Sequence, residues 1–338
     1  MTGKERILTV IKGDIPDSLP NMSITMMAAA DCIGEPYGRY AADYRIHSRG
    51  QAAVAEKYDI DHVSAISDPA VEAHDYGAKI VFYDDQPPAV DERQALLADK
   101  STLLKLKPPA PGEGKRMSNR VRVVQELKKL VGEEKLVEGW IEGPCAEASD
   151  LRGINHVMMD IIDDPRFIKD LFEFTVQHGI EFARAQVEAG ADIIGVGDAA
   201  ASLIGPALYE EFVWNYEKRI VDAVHEMGAL ARLHICGNVT DILEGMGTLG
   251  YDIVDIDSLA PFDKARRDSG PDQVLCGNID PVRVLRNGTP DYVLEEIETC
   301  FNQARPNYIV GAGCEVPRDT PEENFMVLTD FARSRTTK

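Results

Sequence analysis

Short apolar runs rich in Ile and Val recur along the chain, and most of them end in a polar residue. A parallel strand that is covered on both faces has this appearance. Segments with helical patterns separate eight such runs: 21–27, which has the weakest pattern, 60–68, 135–144, 191–198, 229–236, 251–257, 272–278 and 307–314. Eight parallel strands alternating with helices predict the α/β class and one (β/α)8 TIM barrel domain over residues 1–338.

Capping residues mark the helices between these runs. Asp164 and Pro165 begin a helix whose apolar stripe continues to Gly190. Thr289 and Thr320 each precede a proline, which places a capping hydroxyl before Pro at the first helical position. At Thr320 a Glu three residues later predicts a capping box as well.

Two segments lie outside the alternation of strands and helices. Residues 1–20 are predicted to form an N-terminal helical segment, and their acidic residues and lack of a long apolar run argue against a signal peptide. Residues 78–116 contain the proline-rich pieces PP and PPAPGEG and are predicted to be an excursion from the barrel. Residues 78–85 are predicted to form a hairpin or an edge ribbon.

The composition excludes several classes of function. The chain has 36 basic and 57 acidic side chains, a net charge of −21, which disfavours nucleic acid as a partner. It has no apolar run of about 18 residues, so no membrane span is predicted. Its six cysteines are too sparse for a disulfide framework. A reduced, cytoplasmic protein is therefore expected.

Polar or metal-binding side chains end nearly every predicted strand. In a (β/α)8 barrel the functional residues lie at these carboxyl ends, where the following loops meet. A barrel that needed only packing would not require them, so their presence predicts a functional site. The residues concerned are Asp68, Glu142, Asp198, His234 with Cys236, Asp257, Asn278 and Cys314.

One set of these residues has the composition of a zinc site. His234 and Cys236 are two residues apart on a predicted strand, so their side chains point to the same side. Cys314 ends the last strand 78 residues after Cys236. A His–Cys–Cys set that leaves one position open is typical of catalytic zinc. In the alternative interpretation His234 is a core histidine and both cysteines fill small spaces in the core.

Two other patterns are weak. The stretch GVGDAA at 195–200 matches a dinucleotide-binding pattern, but the next helix is predicted to begin only at Pro206. The stretch DAVHEMG at 222–228 is similar to the DxHxxG cobalamin-binding pattern, with one extra residue before the histidine. His225 is therefore interpreted as a solvated helix residue, and this chain is not expected to carry a corrinoid itself.

Four stretches carry a resemblance to a known family: EGPCAEASDLRG, LHICGN, GNIDPVRVLRNGTPD and GAGCEVPRDTPEEN. With them the chain resembles the uroporphyrinogen decarboxylase superfamily over nearly its whole length. The resemblance implies a (β/α)8 barrel with its cleft at the carboxyl ends of the strands. The superfamily contains metal-free decarboxylases and zinc-dependent methyltransferases that work with corrinoid proteins.

The motifs favour the methyltransferase branch. The decarboxylases carry an Arg-rich RQAGR motif near the N-terminus, of which this chain keeps only Gly38, Arg39 and Tyr40. They also have GHG in the last strand, whereas this chain reads GCE. The zinc ligands of the methyltransferases match His234, Cys236 and Cys314.

The resemblance also implies roles for other strand-end residues. Asp257 occupies the place of an exchangeable carboxylate ligand in the coenzyme M branch, where Asp replaces Glu, and Asp68 in ISDP resembles a catalytic Asp of the decarboxylases. Both are predicted to be catalytic. Glu142, Asp198 and Asn278 are predicted to line the substrate pocket, with hydrogen-bonded strand-end residues as the alternative interpretation.

The expected function is methyl transfer between a small substrate and the cobalt of a separate corrinoid protein. EGPCAEASDLRG resembles O-demethylase-like members, which favours a methoxylated aromatic substrate. The alternatives are a thiol substrate of the coenzyme M type, a metal-free decarboxylase, and a non-catalytic barrel with a closed zinc site. The residues expected near an aromatic ring are Met26, Met27, Tyr40 and Trp140.

Overall fold

Seven parallel strands form the main sheet of the computed structural model, which describes residues 1–336. The strands of this sheet are β1 His62–Ser64, β4 Leu136–Glu142, β5 Ile193–Gly197, β6 Leu230–Ile235, β7 Ile253–Ile256, β8 Val274–Ile279 and β9 Tyr308–Ala312. Two further strands, β2 Ile80–Val81 and β3 Ala89–Val90, form a separate ribbon. The main sheet runs β1–β4–β5–β6–β7–β8–β9, and every neighbouring pair is parallel. This order follows when helical crossovers connect successive strands. Residues 337 and 338 of the predicted 1–338 domain lie outside the described part.

An extended segment occupies the eighth position and confirms the barrel class. Asn21 forms a parallel bridge with Val310 of β9, and on its other side its carbonyl accepts a 2.9 Å hydrogen bond from the Asp61 N–H. The prediction of a regular strand over 21–27 is wrong, because the Asp61 carboxylate takes the Asn21 N–H at 2.7 Å and a helix begins at Met27. One bridge therefore closes the seam between β9 and β1.

Helices connect the strands and cover the outside of the barrel. Within residues 1–336, none of them is long and apolar enough to cross a lipid bilayer. The α-helices are α1 Gly3–Ile11, α2 Met27–Cys32, α3 Tyr37–Ala42, α4 Tyr44–Lys57, α5 Val71–Tyr76, α6 Arg116–Val131, α7 Pro144–Arg152, α8 Ile154–Asp163, α9 Pro165–Glu188, α10 Pro206–Leu208, α11 Trp214–Glu226, α12 Leu243–Gly247, α13 Phe262–Ser269, α14 Pro290–Ala304 and α15 Glu322–Ser334.

Two of the three predicted helix starts are confirmed. The Asp164 side chain accepts from the backbone at the start of α9, and the Thr289 side chain does the same for α14. The prediction of a capping box at Thr320 is wrong. Its hydroxyl donates to the Pro317 carbonyl at 2.8 Å, and α15 begins at Glu322 without a side-chain cap.

Helix α1 closes the amino end of the barrel. Its Ile7 and Val10 are fully buried against residues from the starts of several strands, among them Leu136 and Ile253. The helical part of the predicted segment 1–20 is thus confined to α1. Because this helix covers the amino end, the opposite end is left for a cavity.

The excursion at 78–116 contains the predicted ribbon, in which β2 pairs with β3 in antiparallel register. It is attached to the carboxyl end of the barrel by Arg318, which follows β9. The Arg318 guanidinium forms ion pairs with Asp85 of the excursion at 2.9 Å and with Asp31 of α2 at 2.8 Å. The excursion and α2 therefore border the same side of the barrel mouth.

Candidate metal centre

The structure brings His234, Cys236 and Cys314 together at the carboxyl end of the barrel. His234 is in β6, and Cys236 is the first residue after that strand. Cys314 lies two residues after the end of β9. Their ligand atoms all lie within 4.8 Å of one another. The His234 Nε2 is 3.0 Å from the Cys236 Sγ, which is 3.8 Å from the Cys314 Sγ.

The separation of the two sulfur atoms is that of two ligands of one tetrahedral zinc ion. Two thiolates bound to zinc at about 2.3 Å lie about 3.8 Å apart when the site is tetrahedral. The two sulfur atoms have this separation of 3.8 Å. Within residues 1–336, no other group of His, Cys, Asp or Glu side chains meets the same criterion for a metal site.

The buried carboxylate of Asp255 lies beside the ring nitrogen of His234 that faces away from Cys236. The His234 Nδ1 lies 3.2 Å from the Asp255 Oδ2, and Arg232 donates to the same oxygen at 2.5 Å. Burial raises the pKa of Asp255, but the charges of Arg232 and His234 outweigh it and lower the pKa to about 2. An ionised carboxylate in this place orients a metal-binding histidine and fixes its tautomer.

The sequence analysis missed Asp255 and its partners. Asp255, Arg232 and Glu138 are each less than 2% exposed and lie inside strands, and Arg232 is also 3.3 Å from Glu138. The available signal was a charged residue inside an otherwise apolar strand. Because a buried charge needs a partner, three such residues on neighbouring strands indicate a network.

The two metal-side cysteines differ in pKa. The pKa of Cys314 is lowered to about 4, chiefly by its hydrogen bond with Cys236, and His234 acts in the same direction while burial opposes the shift. The pKa of Cys236 is correspondingly raised. The thiolate is the metal-binding form of cysteine, so Cys314 is ready to bind a cation.

A cavity of about 170 Å³, which we call the metal-side cavity, adjoins the three residues. Its apolar wall includes Ile24, Met26, Ile66 and Trp140. Three carboxyl side chains also line it, those of Asp68, Glu142 and Glu315. A cavity of this size beside a metal site suits a small substrate.

Two predicted site residues, Asp68 and Glu142, line this cavity. Both Asp68 oxygens accept 2.6 Å hydrogen bonds from Arg116, so a buried ion pair neutralises Asp68. The Glu142 Oε1 accepts from the Trp140 indole N–H at 3.1 Å. Burial, followed by the nearby charge of Glu72, raises the pKa of Glu142 well above its ordinary value.

The other three predicted residues contact neighbouring loops instead of the cavity. Asp198 is fully buried and accepts from the Ala146 N–H at 2.7 Å. Asn278 donates to the Asp257 carbonyl at 3.2 Å, and the Asp257 carboxylate accepts from the Gly237 N–H at 2.8 Å. Asp257 thus holds the turn after Cys236, and its place as a metal ligand or catalytic residue stays a prediction. The substrate-binding roles of Asp198 and Asn278 also stay predictions.

Glu315 is a cavity residue that the sequence analysis missed, although it directly follows Cys314. Its Oε1 accepts from the Met27 N–H at 2.7 Å, which fixes the start of α2 over the cavity. Burial raises the pKa of Glu315 to about 7.

The four expected aromatic-binding residues are divided between cavity and core. Met26 and Trp140 line the metal-side cavity. Tyr40 is fully buried, and its hydroxyl accepts from Gln51 at 2.8 Å, while Met27 packs against the main core.

The two weak patterns adopt the structures expected of them. After β5 the GVGDAA stretch continues into a 3-10 turn, and the next α-helix begins at Pro206. His225 is 40% exposed on α11, and its Nε2 lies 2.9 Å from the Asp252 Oδ2. His225 is thus engaged with a carboxylate on the outside of the barrel.

We expect Asp255→Asn to weaken metal binding by about 10–100-fold, because the partner of a metal-binding histidine tunes its orientation and basicity. Competition with a chromophoric chelator measures this affinity. Asp252→Asn is the matched control, since Asp252 directly precedes β7, the strand that contains Asp255, and its carboxylate faces His225, which is outside the metal cluster. Equal metal affinity in the two variants would contradict the role of Asp255.

Comparisons with known proteins agree with this architecture. The family model described as uroporphyrinogen decarboxylase (URO-D) matches residues 2–335. The methylcobamide:CoM methyltransferase MtbA of Methanosarcina acetivorans is 28% identical over 98% of each chain. The methylcobamide:CoM methyltransferase MtaA of Methanosarcina barkeri is 24% identical over 97% of this chain and 96% of its own. A uroporphyrinogen decarboxylase of Prochlorococcus marinus is 24% identical over 82% and 80%.

Solved structures show the same fold. A methyltransferase from Methanosarcina mazei superimposes with a TM-score of 0.86 at 23% identity, covering 99% of this chain and 98% of its own. A B12-independent methionine synthase from Shewanella has a TM-score of 0.61 at 12% identity, covering 93% and 97%. The whole-length family match confirms the resemblance carried by the four motifs, and the chain belongs to the uroporphyrinogen decarboxylase family.

Proposed function

We propose that this protein transfers a methyl group from the cobalt of a corrinoid, carried by a separate protein, to a small thiol, with zinc bound by His234, Cys236 and Cys314. The observation that carries this proposal is the convergence of these three side chains beside a small cavity. Support comes from full-length relatives named methylcobamide:CoM methyltransferases. We therefore place the thiol ahead of the methoxylated aromatic favoured by the sequence.

Each group has a defined part in this reaction. A zinc ion held by His234, Cys236 and Cys314 would supply Lewis acidity, which would lower the pKa of a substrate thiol and favour its thiolate form. The thiolate sulfur forms a bond to the methyl carbon, the cobalt–carbon bond breaks with both electrons left on cobalt, and the thiol proton goes to solvent. Asp255 holds His234 in place, and the apolar wall with Ile24 and Ile66 excludes water.

The corrinoid is proposed to arrive on a partner protein. The metal-side cavity lies among the carboxyl ends of the strands, so a corrinoid must approach from that face to place its methyl group near the thiol. The histidine of the weak cobalamin-like pattern, His225, is on α11 and faces Asp252. Neither residue lines the metal-side cavity.

Methyl transfer can be tested with methylcobalamin as a stand-in for the protein-bound corrinoid. We expect zinc-loaded protein and a small thiol to remove the methylcobalamin absorbance and to form the methyl thioether, which mass spectrometry detects. Protein stripped of metal should show only the background rate. If zinc-loaded protein methylates no thiol in a panel of small thiols, the proposed function is wrong.

The methoxylated aromatic predicted from the sequence is the second candidate. Trp140 on the cavity wall favours it, since an aromatic side chain can pack against an aromatic ring. The same assay run in reverse decides between the two candidates. Methoxybenzoates with a cob(I)alamin probe should give methylcobalamin only if the aromatic compound is the substrate.

A decarboxylase of tetra-anionic substrates is disfavoured by the cavity. Asp68, Glu142 and Glu315 line it, and Arg116 is already bonded to Asp68 by both terminal nitrogens. No Lys or Arg among the described residues lines the cavity, so carboxylate groups of a substrate would be buried without a cation, which costs binding free energy.

A further inference from the structure

The charged side chains that line the metal-side cavity are acidic, apart from the metal cluster. Within residues 1–336, three carboxyl side chains line it and no Lys or Arg does. Arg116 neutralises Asp68 through two 2.6 Å hydrogen bonds. Two carboxyl groups, those of Glu142 and Glu315, therefore remain without a basic partner.

The contacts of Glu142 and Glu315 leave both directed toward the cavity. Within the described residues, neither forms an ion pair, and each has a neutral donor: the Trp140 indole for Glu142 and the Met27 N–H for Glu315. The bond from Trp140 uses the Glu142 Oε1. The Glu142 Oε2 accepts no hydrogen bond from the described residues, and it remains available to a substrate.

An anionic substrate would be poorly held in this cavity. Its charge would be enclosed by Ile24, Ile66 and Trp140, and no Lys or Arg among the described residues lines the cavity to pair with it. Burying an anion in an apolar cavity without a cation beside it is costly. A hydroxyl or ammonium group, in contrast, can donate a hydrogen bond to Glu142.

We propose that the thiol used by this protein has a short tail without negative charge, which donates a hydrogen bond to the Glu142 carboxyl group. This inference rests on the proposed function, because it concerns the tail of the thiol that receives the methyl group. The proposed thiol differs from CoM, the thiol in the names of the relatives. CoM is 2-mercaptoethanesulfonate, and its tail is an anion. Glu142 is the specificity-determining residue in this scheme.

Three thiols of equal chain length test the inference: 2-mercaptoethanol, cysteamine and 2-mercaptoethanesulfonate. Calorimetry gives the Kd of each for the zinc-loaded protein, and the methylcobalamin assay gives kcat/KM. We expect the sulfonate to bind at least about tenfold more weakly than both other thiols. Equal or tighter binding of the sulfonate would overturn the inference and leave the proposed function intact.

Glu142→Gln probes the residue itself. The substitution keeps the size of the side chain and adds an amide donor, so we expect the preference for cysteamine over the sulfonate to shrink by about tenfold. Glu133→Gln is the matched control, because Glu133 is exposed in the turn before β4 and does not line the cavity, and it should keep the wild-type preference. An unchanged preference in Glu142→Gln would remove Glu142 from the scheme. If the thiols bind in the expected order but none is methylated, the proposed function fails and the tail selectivity stands.

Discussion

Cys314→Ala should reduce bound zinc from about one ion per chain to nearly none and lower methyl transfer by about 100-fold or more. Mutation of a residue that only hydrogen-bonds to a metal ligand already lowers metal affinity or activity by about 10–100-fold. Cys314 is itself one of the three protein ligands of the proposed site, so its loss should have a larger effect. Its pKa is also lowered to about 4, which favours the thiolate form that binds a metal. Elemental analysis and the methylcobalamin assay measure the two effects.

Cys32→Ala is the matched control for this experiment. Cys32 is also a half-buried free cysteine, but it ends α2 and does not line the metal-side cavity. We expect this variant to keep its zinc and its activity. Full zinc content in Cys314→Ala, with the fold retained by circular dichroism, would rule out the proposed site.

Arg232→Met should have the largest effect on stability, a loss of about 3–5 kcal/mol in the free energy of unfolding. Arg232 is 1% exposed and joins Asp255 to Glu138, so its removal leaves two buried carboxylates without their cation. Urea denaturation of the metal-free protein measures the loss without a contribution from metal binding.

Arg267→Met removes a surface ion pair for comparison. Arg267 lies 2.5 Å from Asp263, but both side chains are at least half exposed, and such pairs contribute about 0–1 kcal/mol. We expect its effect to stay in that range. If Arg232→Met lowers the free energy of unfolding by no more than Arg267→Met does, the buried network of Arg232, Asp255 and Glu138 contributes little to stability.

The sequence predicted the barrel and the metal cluster because both depend on regular spacing. Apolar strands and helix caps recur through the chain, and a two-residue spacing puts His234 and Cys236 on one side of β6. Cys314 could be added because the ends of parallel strands in a closed barrel meet at one face. Each of these arguments needs only local pattern and topology.

Contacts between distant residues could not be predicted in this way. A polar residue at a strand end can line a cavity or cap a neighbouring loop, and the choice depends on which backbone groups approach it. Asp198 meets the Ala146 N–H, 52 residues away, and Glu315 meets the Met27 N–H, 288 residues away. The segment 21–27 was predicted to be a regular strand for the same reason, whereas at Asn21 the Asp61 carboxylate takes the place of a strand partner.

The positions of the three metal-binding residues impose an order on events during synthesis. His234 is in β6 and Cys236 directly follows that strand, but Cys314 follows β9, the last strand of the main sheet to be synthesised. A nascent chain that ends before β9 offers only two of the three side chains. The ion can therefore be held by all three only after β9 has joined β8 and the seam at Asn21 has closed. Metal loading would then mark the moment at which the newly made barrel is complete.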